Sequence, residues 1–130
     1  MNYIFVLLLI FILNVPVKAQ LKFINKDPKG SIAKFEVIGN KTLIYLKSQN
    51  PGETITHVID DVPKIESQEQ MRSNYRLRTS MERNTAKISL EVVYTLFRQT
   101  NRYTGTIRMS TYNPAIKSEE LILEYFEINP

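Results

Sequence analysis

Residues 86–97 read Ala-Lys-Ile-Ser-Leu-Glu-Val-Val-Tyr-Thr-Leu-Phe, and this stretch decides the fold. Ile88, Leu90, Val92, Tyr94 and Leu96 stand two apart, with Lys87, Ser89, Glu91, Val93 and Thr95 between them. A strand sends alternate side chains to opposite faces, whereas an amphipathic helix needs apolar residues three and four apart. The stretch is therefore a strand with one apolar face. Immediately before it, Tyr75, Leu77, Thr79 and Met81 alternate with Arg76, Arg78, Ser80 and Glu82. A two-residue loop at Arg83-Asn84 would join the two runs as a hairpin. That loop pairs Glu82 with Thr85, Met81 with Ala86, Leu77 with Leu90 and Arg76 with Glu91, and every apolar residue lands on one face.

Beyond the polar loop Gln99–Arg102, the run Tyr103–Ser110 turns Tyr103, Ile107 and Met109 inward and Thr104, Thr106 and Arg108 outward, which completes a three-stranded meander. Glu119–Ile128 carries Leu121, Leu123 and Tyr125 on one face and Ile122, Phe126 and Ile128 on the other, so it is expected as a strand covered on both sides. Its β-branched and aromatic residues disfavour the rival helix that would align Glu120, Glu124 and Glu127. In the front half, Ile32–Ile38 and Lys41–Lys47 flank the hairpin signal Gly39-Asn40, and Asn50-Pro51-Gly52-Glu53 turns the chain into Thr54–Val62. Pro63–Asn74 has no clear period and reads as a crossover or a short helix. The fold class is all-β: an antiparallel sandwich or small barrel of about seven strands, with the meander in its C-terminal half.

The N-terminus is of another kind. Ile4 to Leu13 is an unbroken apolar run, followed by Asn14, Pro16 and Val17-Lys18-Ala19. A spanning helix needs about 20 apolar residues, and this run falls short even when extended to Val17. The Val-x-Ala ending is that of a signal peptide cleaved after Ala19. Against this, no Lys or Arg precedes the run while Lys18, Lys22, Lys26 and Lys29 follow it, the bias of a retained anchor. The reading adopted is a signal peptide over residues 1–19 and one β-rich domain over residues 20–130, secreted or periplasmic, with no transmembrane segment in the mature protein. At 130 residues, the chain has no room for a second domain.

Several chemistries are excluded by composition. The chain has no cysteine, hence no disulfide framework, thiolate metal site or cysteine nucleophile. Its four glycines form no GxSxG elbow, phosphate loop or dinucleotide fingerprint, so no cofactor is expected. The single histidine, His57, lies near Asp60 and Asp61, and a hydrolase or divalent-metal site would have to be built on it. The simpler reading is a strand histidine followed by turn residues, and an enzyme is not expected. Asn40-Lys41-Thr42 matches the N-glycosylation sequon, which matters only in a eukaryotic source.

Charge is placed unevenly. Residues 20–71 balance seven Lys against seven acids, and residues 109–130 hold Lys117 against four Glu. All seven arginines fall in residues 72–108, where only Glu82 and Glu91 oppose them and Lys87. The expected faces put Arg76, Arg78, Lys87 and Arg108 together on the outside of the meander, with Arg83, Arg98 and Arg102 in or beside its loops. Clustered guanidinium groups hold phosphate, sulfate or carboxylate in bidentate fashion. The alternative is a solvated face whose charges pair across strands, Arg76 with Glu91 for instance. Nucleic acid is the less expected anion, since no aromatic ladder interleaves with the arginines. The reading reached is a non-enzymatic binding or interaction module engaging a protein or a polyanionic glycan or lipid partner. A barrel holding a small apolar ligand is the alternative, distinguished by an open mouth in place of a solid core.

Overall fold

The computed structural model describes residues 20–48, 50, 52–83 and 85–128; the expected signal peptide, Met1–Ala19, lies outside them. Nine strands run in chain order: β1 (Gln20–Asn25), β2 (Ile32–Ile38), β3 (Lys41–Lys47), β4 (Thr54–Ile59), β5 (Lys64–Gln68), β6 (Arg72–Arg83), β7 (Ala86–Phe97), β8 (Arg102–Asn113) and β9 (Ser118–Ile128). All belong to one antiparallel sheet of order β4-β3-β2-β1-β9-β8-β7-β6-β5, curled into a half-barrel. The all-β class stands. The sandwich does not, because no second sheet exists among the described residues, and the expected seven strands become nine with β1 and β5.

Topology and one short connection force the curl. Strands β4 and β5 are neighbours in sequence but occupy the two opposite edges of the sheet. A flat sheet of nine strands would hold its edges about 38 Å apart at 4.8 Å per strand. The connection from Ile59 to Lys64 can span at most about 18 Å fully extended. The sheet must therefore bend until its edges approach at that end. Register shifts in β2 between Ile32 and Lys34 and in β5 between Ile65 and Ser67 mark irregularities of the kind that add local twist. Thr42, fully buried, closes the connection from the β3 side by donating its hydroxyl proton to the Asp61 carbonyl at 2.8 Å.

Strand β1 joins the two halves. It pairs with β2 from Gln20↔Ile38 to Ile24↔Lys34 and with β9 over Phe23↔Ile128, Ile24↔Glu127 and Asn25↔Phe126. Phe23 and Phe35 stack at 4.4 Å with planes 7° apart, and Phe126 meets Phe35 edge-on at 5.1 Å. These rings fit over β8 only because residue 105 is glycine: a Cβ there would lie 2.8 Å from Phe35 and 3.0 Å from Phe23. Tyr94 packs against Phe23 and stacks on Tyr75 at 4.5 Å. Burial, reinforced by Tyr75 and Tyr103, pushes its phenol up to about 12, so it stays protonated and neutral in this aromatic end of the core.

The expected faces of β6, β7 and β8 hold, with Leu77, Leu90, Val92, Tyr94 and Ile107 buried. The hairpin register does not. Arg83 pairs with Ala86, so Leu77 lies opposite Val92 and Arg78, not Arg76, opposite Glu91. The shift is two residues on the partner strand, which preserves the pleat parity and hence every face. The expected Gly39-Asn40 turn is exact, with Ile38 paired to Lys41 and Gly39 at the positive φ of 58° that a primed turn requires. Pro63–Asn74 is neither helix nor crossover but β5 and the start of β6. The final strand is β, as expected, and Glu124 on its inner face accepts from Asn25 Nδ2 at 2.6 Å and from the backbone N–H groups of Ser31 and Ile32 at 3.0 and 3.1 Å.

Candidate functional site

Registers across β6, β7, β8 and β9 line up outward-facing residues in rows. One row is Arg78–Glu91–Arg108–Leu123, the next Ser80–Ser89–Ser110–Leu121, and on the other side lies Arg76–Val93–Thr106–Tyr125. Opposed residues in such ladders have Cβ atoms about 5 Å apart, so each row is a line of touching side chains. Beside the row Arg78–Glu91–Arg108 the short serines of the next row leave an open trough of about 520 Å³, lined by Arg78, Ser80, Ser89, Glu91, Arg108 and Ser110.

The expected arginine cluster divides on inspection of its partners. Arg78 Nε donates to Glu91 Oε2 at 2.9 Å, and Arg76 Nη1 lies 3.9 Å from the same oxygen. Arg76 Nε also lies 2.7 Å from Glu66 Oε2, but its N–H does not point at that oxygen and finds no acceptor among the described residues. Arg98 holds the Gln70 carbonyl at 3.4 Å and the Ser73 hydroxyl, tying down the loop before β6. Arg102 lies 3.9 Å from Glu127, and Lys87 sits opposite Glu82. Cross-strand charge pairing thus accounts for much of the block. Arg108 alone among Arg76, Arg78 and Arg108 has no ion pair among the described residues, so the surplus positive charge of the trough rests on it. Ser80, Ser89 and Ser110 were not legible as a set, since their alignment depends on the β6–β7–β8 registers.

The interior offers less room. An apolar cavity of about 80 Å³ lies between the two halves of the sheet, walled by Ile32, Ile44, Leu46, His57, Met81, Ile88, Leu90 and Met109. His57 faces it from β4, opposite Ile44. Asp60 and Asp61 do not join it: Asp60 lies 3.7 Å from Lys41, and Asp61 accepts from the Val62 N–H at 2.9 Å. Among the described residues no three His, Asp or Glu side chains gather as a metal site would require. His57→Gln is expected to leave whatever activity the protein has intact, and the protein should hold no stoichiometric zinc or manganese. Elemental analysis showing one metal per chain, lost in that variant, would reverse this reading.

Asn40 is exposed at the β2–β3 turn. No helix among the described residues is long and apolar enough to cross a membrane. No family model, curated protein or solved structure matches the chain.

Proposed function

We propose that the protein is a non-enzymatic binding module, exported after loss of Met1–Ala19, whose outer meander face takes an anionic partner. The observation that carries this is the open trough whose one side is the row Arg78–Glu91–Arg108, with Glu91 taken by Arg78 and Arg108 without an ion pair among the described residues, and whose other side is the serine row. Its volume of about 520 Å³ is of the size that ligands occupy, roughly 300–1,000 Å³, whereas the 80 Å³ interior cavity is far below it. The small-apolar-ligand reading loses support on that magnitude. The guanidinium groups along one side suit phosphate, sulfate or carboxylate, and the hydroxyls of Ser80 and Ser89 beside them suit the remaining oxygens.

Replacing Arg78 and Arg108 together by Gln tests the reading. Exposed ion pairs contribute at most about 1 kcal/mol, so the variant should fold nearly as stably as the parent. Heparin serves as a probe polyanion. The parent should stay on a heparin column above ~150 mM salt, with retention falling steeply between ~50 and ~200 mM as the Debye length shortens, and the variant should elute early. Weak retention, identical in parent and variant, would show the arginines to be a merely solvated face.

A further inference from the structure

Strand β9 breaks the rule that an uncovered sheet face is polar. Leu121, Leu123 and Tyr125 all point outward and are 55%, 47% and 56% exposed. They line up along about 14 Å of one strand at 3.4 Å per residue. β1 pairs with β9 only over Phe126–Ile128, and the exposure of Leu121, Leu123 and Tyr125 shows that none of the described residues covers the stripe. Each apolar residue also ends one of the rows described above: Leu123 stands beside Arg108, Leu121 beside Ser110 and Tyr125 beside Thr106. Apolar stripe and cationic trough are therefore one surface.

We infer that this surface docks on a membrane rich in anionic lipid, with headgroup phosphates at Arg78 and Arg108 and Leu121, Leu123 and Tyr125 entering the interfacial layer. The inference rests on the anion-binding reading and names its partner. Charge complementarity supplies the first argument: in the three rows that end on the stripe, Arg76, Arg78 and Arg108 stand with Glu91 as their one acid, and Glu66 on β5 sits beside Arg76, so the rows keep a positive excess at Arg108. Openness supplies the second. A solitary amphiphile needs most of its surface enclosed, and this face can cover only one side of anything it meets. A lipid surface keeps its own chains together and asks the protein only for shallow insertion. Tyr125 suits that depth, its ring apolar and its hydroxyl wet. Of the acids on this face, Glu91 pairs with Arg78 and Glu127 lies by Arg102, while Glu119, which accepts from the Ser110 hydroxyl at 2.8 Å, keeps its charge two rows away from Arg108.

The chain contains no tryptophan, so Leu123→Trp gives a single reporter within the stripe that ignores any membrane affinity of residues 1–19. With vesicles of phosphatidylcholine containing about a third phosphatidylglycerol, its emission should shift to the blue and be quenched by brominated acyl chains. Pure phosphatidylcholine should give no shift, and Arg78→Gln with Arg108→Gln should abolish it. In the reporter background, Leu121→Ser should weaken vesicle affinity several-fold while preserving heparin retention. No shift with either vesicle, in a protein still held by heparin, overturns the lipid partner and leaves the anion-binding face standing. No shift and no heparin retention overturns both. An equal shift on neutral vesicles removes the role of the arginines. A blue, concentration-dependent emission before lipid is added means that a second copy of the chain covers the stripe, and the inference fails.

Discussion

Phe23→Ala is expected to lower the unfolding free energy by about 3–5 kcal/mol, the range for a fully buried aromatic truncated to alanine. Phe23 has no exposed surface, stacks on Phe35 and touches Tyr94 and Tyr103 with ring centroids 5.5 and 6.3 Å away. It also sits on β1, which lies between β2 and β9 in the sheet. Domains of this size have about 5–15 kcal/mol in total, so a large share of the stability is at stake. A urea titration should show the midpoint falling with little change in slope. Phe23→Leu, which keeps much of the volume, should cost distinctly less. A loss under about 1 kcal/mol in the alanine variant would mean that β1 does not lie between the two halves of the sheet.

That strand is also the part of the fold hardest to read in the amino-acid sequence. Gln20–Asn25 offers two inward apolar residues, Leu21 and Phe23, too few to establish a period. Its partner β9 lies about a hundred residues away, where no local pattern can point to it. β5 escaped notice for a similar reason: Ile65 is its lone large apolar residue, and the shift before Ser67 breaks what alternation it has. Where strands are long, as in β6 to β8, alternation alone assigned the faces correctly, because faces depend only on parity. Ladder partners depend on the turn, and placing the loop one residue early assigned Glu91 to Arg76 when it faces Arg78. The candidate site suffered most from this, since a row such as Arg78–Glu91–Arg108 exists only once three registers are known. β9 shows the converse limit. Its two apolar faces suggested cover on both sides, yet only the inner face is buried by this chain, and periodicity cannot say whether a cover comes from the same chain or from a partner.

The face assignment on β7 has its own test, in two substitutions three residues apart. Leu90→Ala is expected to cost about 2–5 kcal/mol, and Val93→Thr under about 1 kcal/mol. Leu90 is 5% exposed and forms part of the wall of the 80 Å³ cavity, so its truncation enlarges a void that already exists. Met81 and Met109 share that wall, and their flexible side chains can swing inward to fill part of the space, which places the cost in the lower half of the range. Val93 points outward between Arg76 and Thr106, where a threonine hydroxyl of nearly the same shape reaches water or a neighbouring polar group. Paired urea titrations give both numbers. Equal losses would mean that the outer face is also packed in solution. That result would remove the open surface on which the trough, the unpaired Arg108 and the Leu121–Tyr125 stripe all depend.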